Sequence, residues 1–238
     1  MKLYVMQLGI NQATGSPYPS FLIRTDDGTN VLVDTGFNAK MVETSHQPGH
    51  QGAVINTEDL VVSQLGRLGV SPSDIRYVIA THFDGDHAGS LAEFGGSEVV
   101  AQRRHYEAAR GGHPRFAGTR HQWGDARLRY RLVDGDTTLL PGIELIETSG
   151  HVPGHQSVLV RLPKTGPVLL AIDAMALALG QHTPENRPVG QYDMDAEGTR
   201  ASTRKLVDLA ARERVALIIY GHDPEEWKKV KKAPEFYS

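Results

Sequence analysis

The sequence THFDGDHAG, residues 81–89, directly follows the apolar run Tyr77–Ala80. An apolar run bounded by polar residues predicts a short buried strand, so the polar stretch should form the loop that leaves the carboxyl end of that strand. Open α/β sheets usually place their functional sites at this edge. The stretch therefore predicts a strand together with a site at its end.

Four side chains of this loop can bind a metal ion. His82 and Asp84 form a first pair, and the adjacent residues Asp86 and His87 form a second. Imidazole nitrogen and carboxylate oxygen both donate lone pairs to zinc, manganese, iron or cobalt, and one ion rarely uses four neighbouring ligands. We therefore expect each pair to serve one of two neighbouring ions. The alternative is a solvated polar loop in which the two aspartates cap the next helix and the histidines are incidental.

The composition limits the classes of protein to which the chain can belong. Its 238 residues contain no linker-like segment, which predicts one domain over residues 1–238. No apolar run approaches about 18 residues, so we expect no membrane span, and Met1–Leu8 predicts a first strand rather than a signal peptide. The absence of cysteine excludes disulfides and thiolate ligands and makes a cytoplasmic protein the simplest interpretation. The net charge of −3 gives no indication of nucleic-acid binding.

Three further candidate ligands lie directly after predicted strands. His151 follows the strand 143–147, Asp173 follows the strand 168–172, and His222 follows the strand 216–220. A single histidine or aspartate at a strand end is usually a turn or capping residue. Three in series after the first cluster make coincidence a poor explanation. Asp34, at the end of the predicted strand 30–33, could cap a turn or orient a ligand histidine.

The remaining patterns indicate alternating groups of strands and helices. Helices are predicted over 59–68, 103–110, 196–212 and 224–231, while 37–57 and 112–127 show no clear period. Strands followed by helices in each half of the chain indicate two packed sheets with helices on their outer faces.

In these motifs the chain resembles the metallo-β-lactamase superfamily over essentially its whole length. The matching pieces occur in the family's order: Asp34-Thr35-Gly36, His82 to His87, Thr148 to His151, Ile172-Asp173 and Gly221-His222-Asp223. Within the superfamily, the run GHVPGHQS at 150–157 and the ending from Gly221 through Tyr237 look most like the N-acyl-homoserine lactone lactonases and the related pyridoxolactonases.

The resemblance implies an α/β (α+β) fold, a four-layer αβ/βα sandwich of two mixed sheets flanked by helices, with two divalent metal ions at one sheet edge. His82, Asp84 and His151 would hold the first ion, Asp86, His87 and His222 the second, and Asp173 both; His155 would be structural. The expected reaction opens a lactone by attack of a metal-bridging hydroxide, with Asp86 passing the proton to the leaving oxygen. The expected partner is a small-molecule substrate, with neither nucleic acid nor membrane, and a homodimer is allowed for.

Two positions depart from the pattern of the relatives. Most carry His-x-His-x-Asp-His, whereas Asp84 stands at the second histidine, which shifts the preference from zinc somewhat toward manganese or iron or weakens the first site. Zinc stays the first choice. Lactonases of this type commonly have a tyrosine where this chain has Ala176, so Tyr18 or Tyr192 would have to orient the substrate carbonyl. The apolar residues expected near the site could accept an acyl chain or belong to the core: Phe37, Met41, Phe83, Met175, Leu177 and Leu179.

Other functions remain open at this point. Some phosphodiesterases and nucleases of the superfamily resemble the chain in using His-x-Asp-x-Asp-His. A carboxylate at position 84 also resembles the iron-binding oxygen reductases, which carry a flavodoxin-like partner domain. A binding protein without catalysis is the last alternative, and His87→Ala would leave its activity in cells unchanged.

Overall fold

Two β-sheets lie face to face in the computed structural model, which describes residues 1–238. The first sheet has eight strands in the order β13-β1-β2-β3-β5-β6-β7, with β4 paired to β1. Its strands are β1 (Lys2–Asn11), β2 (Pro17–Arg24), β3 (Asn30–Val33), β4 (Ala53–Val54), β5 (Ile75–Ile79), β6 (Glu98–Gln102), β7 (Arg129–Val133) and β13 (Phe236–Tyr237). The neighbouring strands β3, β5, β6 and β7 are parallel, so β3 and β5 end at the same edge.

The second sheet has five strands in the order β12-β11-β10-β9-β8. They are β8 (Thr137–Leu140), β9 (Ile143–Glu147), β10 (Gln156–Leu162), β11 (Gly166–Ile172) and β12 (Leu217–Tyr220). Because β9 and β11 are both antiparallel to β10, and β12 is parallel to β11, the strands β9, β11 and β12 have their carboxyl ends at one edge. Both sheets therefore bring loops to a common side of the molecule.

Seven α-helices and five 3-10 turns cover the sheets and connect their strands. The helices are α1 (Lys40–Ser45), α2 (Val61–Arg67), α3 (Gly85–Ala88), α4 (Arg103–Arg110), α5 (Arg120–Trp123), α6 (Ala196–Arg212) and α7 (Pro224–Trp227). The 3-10 turns are Thr57–Asp59, Pro72–Asp74, Leu91–Phe94, Pro114–Phe116 and Asp173–Met175. None of the helices combines the length and apolarity required to cross a bilayer.

Side-chain alternation along the strands creates three apolar layers. Val5, Ile79 and Leu170 belong to the cluster between the sheets, whereas residues one position away, such as Met6 and Val78, pack on the outer helices. A smaller cluster joins the second sheet to α6 through Leu206. Period-two alternation is the pattern of strands with two buried faces, and it confirms the predicted sandwich of two mixed sheets flanked by helices.

Several predicted boundaries were wrong. The helix predicted over 224–231 ends at Trp227, because the chain turns to bury Val230 between the sheets and then pairs β13 with β1. The helix predicted over 59–68 is a 3-10 turn, Thr57–Asp59, followed by α2. Short helices, α1 and α5, occupy parts of the stretches in which the sequence shows no period. Tertiary packing overrides weak local propensity at all of these positions.

Candidate metal centre

The first sheet contributes four candidate donors through the loop that follows β5. His82 is fully buried, and Asp84 precedes α3, a short helix that contains Asp86 and His87. Asp84 occupies the N-cap position, yet its side chain makes no capping hydrogen bond. Its carboxylate instead receives hydrogen bonds from Arg115. The alternative interpretation of Asp84 as a helix cap was therefore wrong.

The second sheet contributes three donors from the ends of three strands. His151 lies in the loop after β9, Asp173 directly follows β11, and His222 lies two residues after β12. Gly221 allows the last two to meet, because a Cβ atom there would lie 2.8 Å from Asp173 Oδ1. Ile172 has φ of 52°, a left-handed conformation that β-branched residues rarely adopt, and it directs the chain into Asp173.

The seven predicted donors converge, with the carboxylate of Asp173 at their centre. Its Oδ2 lies 3.2 Å from His151 Nε2 and 3.8 Å from His82 Nε2. Its Oδ1 lies 3.1 Å from His222 Nε2 and 3.5 Å from His87 Nε2. Each oxygen therefore faces one pair of histidines, which is the arrangement required of a carboxylate shared by two ions.

Each of the four histidines has its Nδ1 atom held by a neighbour. His87 Nδ1 donates to Asp34 Oδ2 at 2.8 Å, and His151 Nδ1 donates to Asp193 Oδ1 at 3.0 Å. His222 Nδ1 donates to the carbonyl of Pro17 at 2.8 Å, and His82 Nδ1 lies 3.1 Å from the hydroxyl of Thr81. The hydrogen bonds assign the proton to Nδ1 and leave the lone pair of Nε2 directed at the centre.

Thr81 joins two of these histidines to one carboxylate. Its hydroxyl donates to Asp34 Oδ2 at 2.7 Å, so it is free to accept from His82 Nδ1. Asp34 also accepts from the backbone N–H of Thr81 at 2.9 Å. The predicted orienting role of Asp34 is confirmed for its contact with His87.

The unpartnered atoms test whether the donor set suits a metal. His82 Nε2, His87 Nε2 and Asp173 Oδ1 are buried and have no hydrogen-bond partner. Buried polar atoms are normally paired, so the grouping of these three is suited to holding a cation. Metal bonds of about 2.0–2.2 Å place tetrahedral ligands roughly 3.3–3.6 Å apart. The histidine–Asp173 separations, 3.1–3.8 Å, lie within about 0.2 Å of that range.

The donors fall into two outer groups. His87, Asp86 and His222 form one, with Asp86 Oδ2 at 3.5 Å from His87 Nε2 and 3.7 Å from His222 Nε2. His82, Asp84 and His151 form the other, in which Asp84 Oδ2 lies 3.4 and 3.5 Å from the two Nε2 atoms. The two groups contain the ligands that the resemblance implies for the two ions, and binding of ions there stays a prediction.

Arg115, in the 3-10 turn Pro114–Phe116, contacts the group of His82, Asp84 and His151. Its Nη2 lies 2.5 Å from Asp84 Oδ2 and 2.9 Å from His151 Nε2. Burial raises the pKa of Asp84, but the hydrogen bonds from the Arg115 guanidinium outweigh it and hold that pKa well below its usual range. Asp84 is thus an ionised carboxylate with a resident guanidinium partner.

Sequence patterns did not identify Arg115, Asp193 or the carbonyl of Pro17. All three lie outside the ligand motifs, 31 residues from Asp84, 42 from His151 and 205 from His222 respectively. Only the need of each ligand histidine for an Nδ1 acceptor could have indicated that an acidic residue such as Asp193 was required.

A cavity of about 1310 Å³ opens onto the donors. Asp86 and Asp173 lie in its wall, together with Tyr18, Tyr192 and Ala176. Of the six apolar residues predicted near the site, four line the cavity and two are buried in the core. The lining residues are Phe37, Met41, Leu177 and Leu179, and the core residues are Phe83 and Met175.

Two other buried histidines stand apart from the donor groups. His155 Nδ1 is held by the hydroxyl of Thr148 at 2.8 Å, and its ring centroid lies 5.2 Å from that of His82. His105 Nδ1 donates to the carbonyl of Pro153 at 2.9 Å. Neither ring belongs to a cluster able to hold an ion. The structural role predicted for His155 fits its contacts.

Comparison with known proteins places this arrangement in a family. The profile of the metallo-beta-lactamase superfamily matches residues 13–222. The N-acyl homoserine lactonase AttM of Azorhizobium caulinodans is 36% identical over 260 aligned positions, covering 100% of this chain and 95% of the relative. An N-acyl homoserine lactonase of a Bacillus species is 33% identical, covering 92% of this chain and 86% of the relative.

Solved structures lead to the same family. The fold matches that of an N-acyl homoserine lactone hydrolase with the product N-hexanoyl-L-homoserine bound at its catalytic metal centre. The TM-score is 0.87 at 29% identity, over 99% of this chain and 98% of the other. The order of strands, the convergent donors and these matches together establish that the chain belongs to the metallo-β-lactamase superfamily.

Proposed function

We propose that residues 1–238 form one hydrolase domain that opens the ring of N-acyl-homoserine lactones or similar cyclic esters. The observation that carries this proposal is a cavity lined both by the candidate ligand carboxylates and by apolar side chains such as Phe37 and Leu177. A lactone ring needs the polar groups and an acyl chain needs the apolar ones. The lactonase relatives and the product-bound structure support the same substrate class.

We further propose that the seven donors hold two divalent ions, zinc in the first instance: His82, Asp84, Asp86, His87, His151, Asp173 and His222. Four imidazole nitrogens among the seven donors suit zinc, whereas the three carboxylates, Asp84 among them, leave manganese or iron as alternatives. When bound, such a pair would lower the pKa of a coordinated water and supply positive charge that stabilises a developing oxyanion.

Asp86 is proposed to move the proton. Hydrolysis breaks the ring C–O bond, adds the oxygen of water to the carbonyl carbon, and leaves an alkoxide that must gain a proton. The Asp86 carboxylate lies in the cavity wall, with its Oδ2 atom 3.5 Å from His87 Nε2 and 3.7 Å from His222 Nε2. An ionised carboxylate can accept a proton from water and return it to the alkoxide.

Tyr18 is the candidate for orienting the substrate carbonyl in place of the tyrosine absent at Ala176. Its ring packs edge-on against His222, with centroids 5.4 Å apart, and its oxygen receives a long 3.4 Å contact from Asn11 Nδ2. Burial raises the pKa of Tyr18, so the phenol keeps its proton and can donate it in a hydrogen bond. Tyr192 is 68% exposed and less constrained.

The test is a hydrolysis assay with zinc-loaded protein on acyl-homoserine lactones of increasing chain length. We expect ring opening, detected by pH-stat titration, with efficiency that depends on chain length. Bis(p-nitrophenyl) phosphate is the comparison substrate for the phosphodiesterase alternative. Failure to open any lactone, or faster turnover of the phosphodiester, would contradict the proposal.

A further inference from the structure

Arg115 contacts the same atoms that the first metal ion needs. Its Nε donates to Asp84 Oδ1 at 2.8 Å, and its Nη2 donates to Asp84 Oδ2 at 2.5 Å and to His151 Nε2 at 2.9 Å. Its Nη1 also donates to the carbonyl of Tyr192. The guanidinium is therefore fixed on one side by a ligand pair and on the other by the cavity wall.

The contact with His151 cannot coexist with metal binding. A neutral imidazole has one lone-pair nitrogen, and in His151 the other nitrogen already donates to Asp193. That lone pair can accept the N–H of Arg115 or bind a cation, but not both. Asp84 has lone pairs to spare, since Arg115 can stay on Oδ1 while Oδ2 changes partner.

The second donor group has no such competitor. Asp86 and Asp173 form ion-pair contacts with histidines alone, without any arginine or lysine. The Nε2 atom of His87 is buried and unpartnered. A cation entering this group displaces no protein hydrogen bond.

We propose that Arg115 is an internal cation that competes with the first metal ion, so that the two sites fill in sequence. The second site, at Asp86, His87 and His222, binds first and more tightly. The first site binds its ion only when the guanidinium leaves His151 and Asp84 Oδ2. Asp84 brings the guanidinium to this position through charge-assisted hydrogen bonds, so the substitution at position 84 and the competitor form one device. The inference rests on the proposed metal sites and is independent of the substrate.

The experiment is calorimetric titration of metal-free protein with zinc, comparing the native chain with Arg115→Gln. The native chain should give two separated binding constants. In the variant the weaker association constant should rise about tenfold or more, because a charge-assisted hydrogen bond no longer opposes binding. The tighter constant should change less than threefold. Titration with cobalt, followed by visible absorption, should show two successive spectra in the native chain and concurrent growth in the variant.

Arg103→Gln is the matched control, because Arg103 makes a similar two-oxygen contact with Asp134 on the surface. Both of its constants should equal those of the native chain. Should Arg115→Gln fail to fold, Arg115→Lys replaces it: an ammonium lacks the fork that reaches both groups, so the weaker constant should rise at least threefold.

A weaker constant that stays within threefold of the native value in Arg115→Gln, or falls, would overturn the proposal; a fall would mean that Arg115 supports Asp84 as a ligand. Two equal sites in the native chain would overturn it as well. Protein that fills stepwise yet opens no lactone would contradict the proposed function and leave this inference standing. Lactone hydrolysis by protein with two equal sites would do the reverse.

Discussion

The two halves of the metal centre have the same origin but different availability. Both are built from strand-end loops of the two sheets, and both share Asp173. In the half containing His87, no arginine or lysine contacts the donors, whereas in the half containing Asp84 a guanidinium engages Asp84 and His151 and leaves only His82 Nε2 unpartnered. The difference shows that convergence of ligands does not by itself define an open site, because a neighbouring cation can occupy the same lone pairs.

Loss of the shared carboxylate should have the largest effect, since it removes a ligand from both halves. Asp173→Asn should lower the metal content of the protein and reduce kcat/KM for a lactone by at least ~10³-fold, about 4 kcal/mol of transition-state stabilisation. Elemental analysis and a lactone assay measure the two effects. Asp208→Asn, on the exposed face of α6, is the control. A variant that kept two ions would contradict the shared role.

Asp34→Asn should weaken the second half more than the first, because Asp34 contacts His87 directly and His82 only through Thr81. The amide retains the shape and tolerates the left-handed φ of 59° at this position. It presents a donor or a weaker acceptor to His87 Nδ1, which disfavours the tautomer with a free Nε2. Zinc titration should show the tighter site weakened about 10–100-fold. Equal weakening of both sites would argue against the division into halves.

Asp193→Asn is the corresponding change in the first half. Asp193 accepts a hydrogen bond from His151 Nδ1 at 3.0 Å. The asparagine amide should therefore lower the affinity for the first ion by about tenfold, the lower end of the range for such partners. This loss of zinc affinity should be smaller than the loss in Asp34→Asn, because Asp34 contacts both His87 and Thr81. Zinc titration again provides the measurement, and a weakened tighter site with an unchanged weaker one would reverse the assignment.

His105, which lies behind the centre, should affect the stability of the fold rather than the binding of metal. Burial lowers the pKa of His105 to about 3, so this imidazole stays neutral in the folded chain at pH values where the unfolded chain, with a pKa of about 6.5, binds a proton. The free energy of unfolding should therefore fall as the pH drops from 6.5 toward 3, with this residue contributing about 2 kcal/mol of the loss by pH 5. His105→Leu should flatten this part of the profile.

Urea unfolding at a series of pH values, with chelator present, tests the role of His105. His46→Gln, at an exposed histidine, should leave the profile unchanged. A His105→Leu profile as steep as that of the native chain would show that other groups bind the proton.

The sequence was informative wherever function follows from strand order. Parallel strands of one sheet end at the same edge, which groups Asp34 with His82 in the first sheet and Asp173 with His222 in the second. That the two edges meet was expected only from the resemblance. Arg115 could not be assigned to the site, because it lies in a segment without periodicity and reaches Asp84 only through the path of the loop between α4 and α5. The short strands β4 and β13 also escaped prediction, since pairing with β1 creates them.

The distribution of donors over two sheets has a mechanical consequence. Asp86 and His87 come from one layer of the sandwich and Asp173 and His222 from the other, so each coordinated ion would link the two layers. The layers otherwise meet through non-directional apolar contacts, which resist sliding weakly compared with coordinate bonds. The ions and their ligands would therefore also hold the two sheets in a fixed relative position.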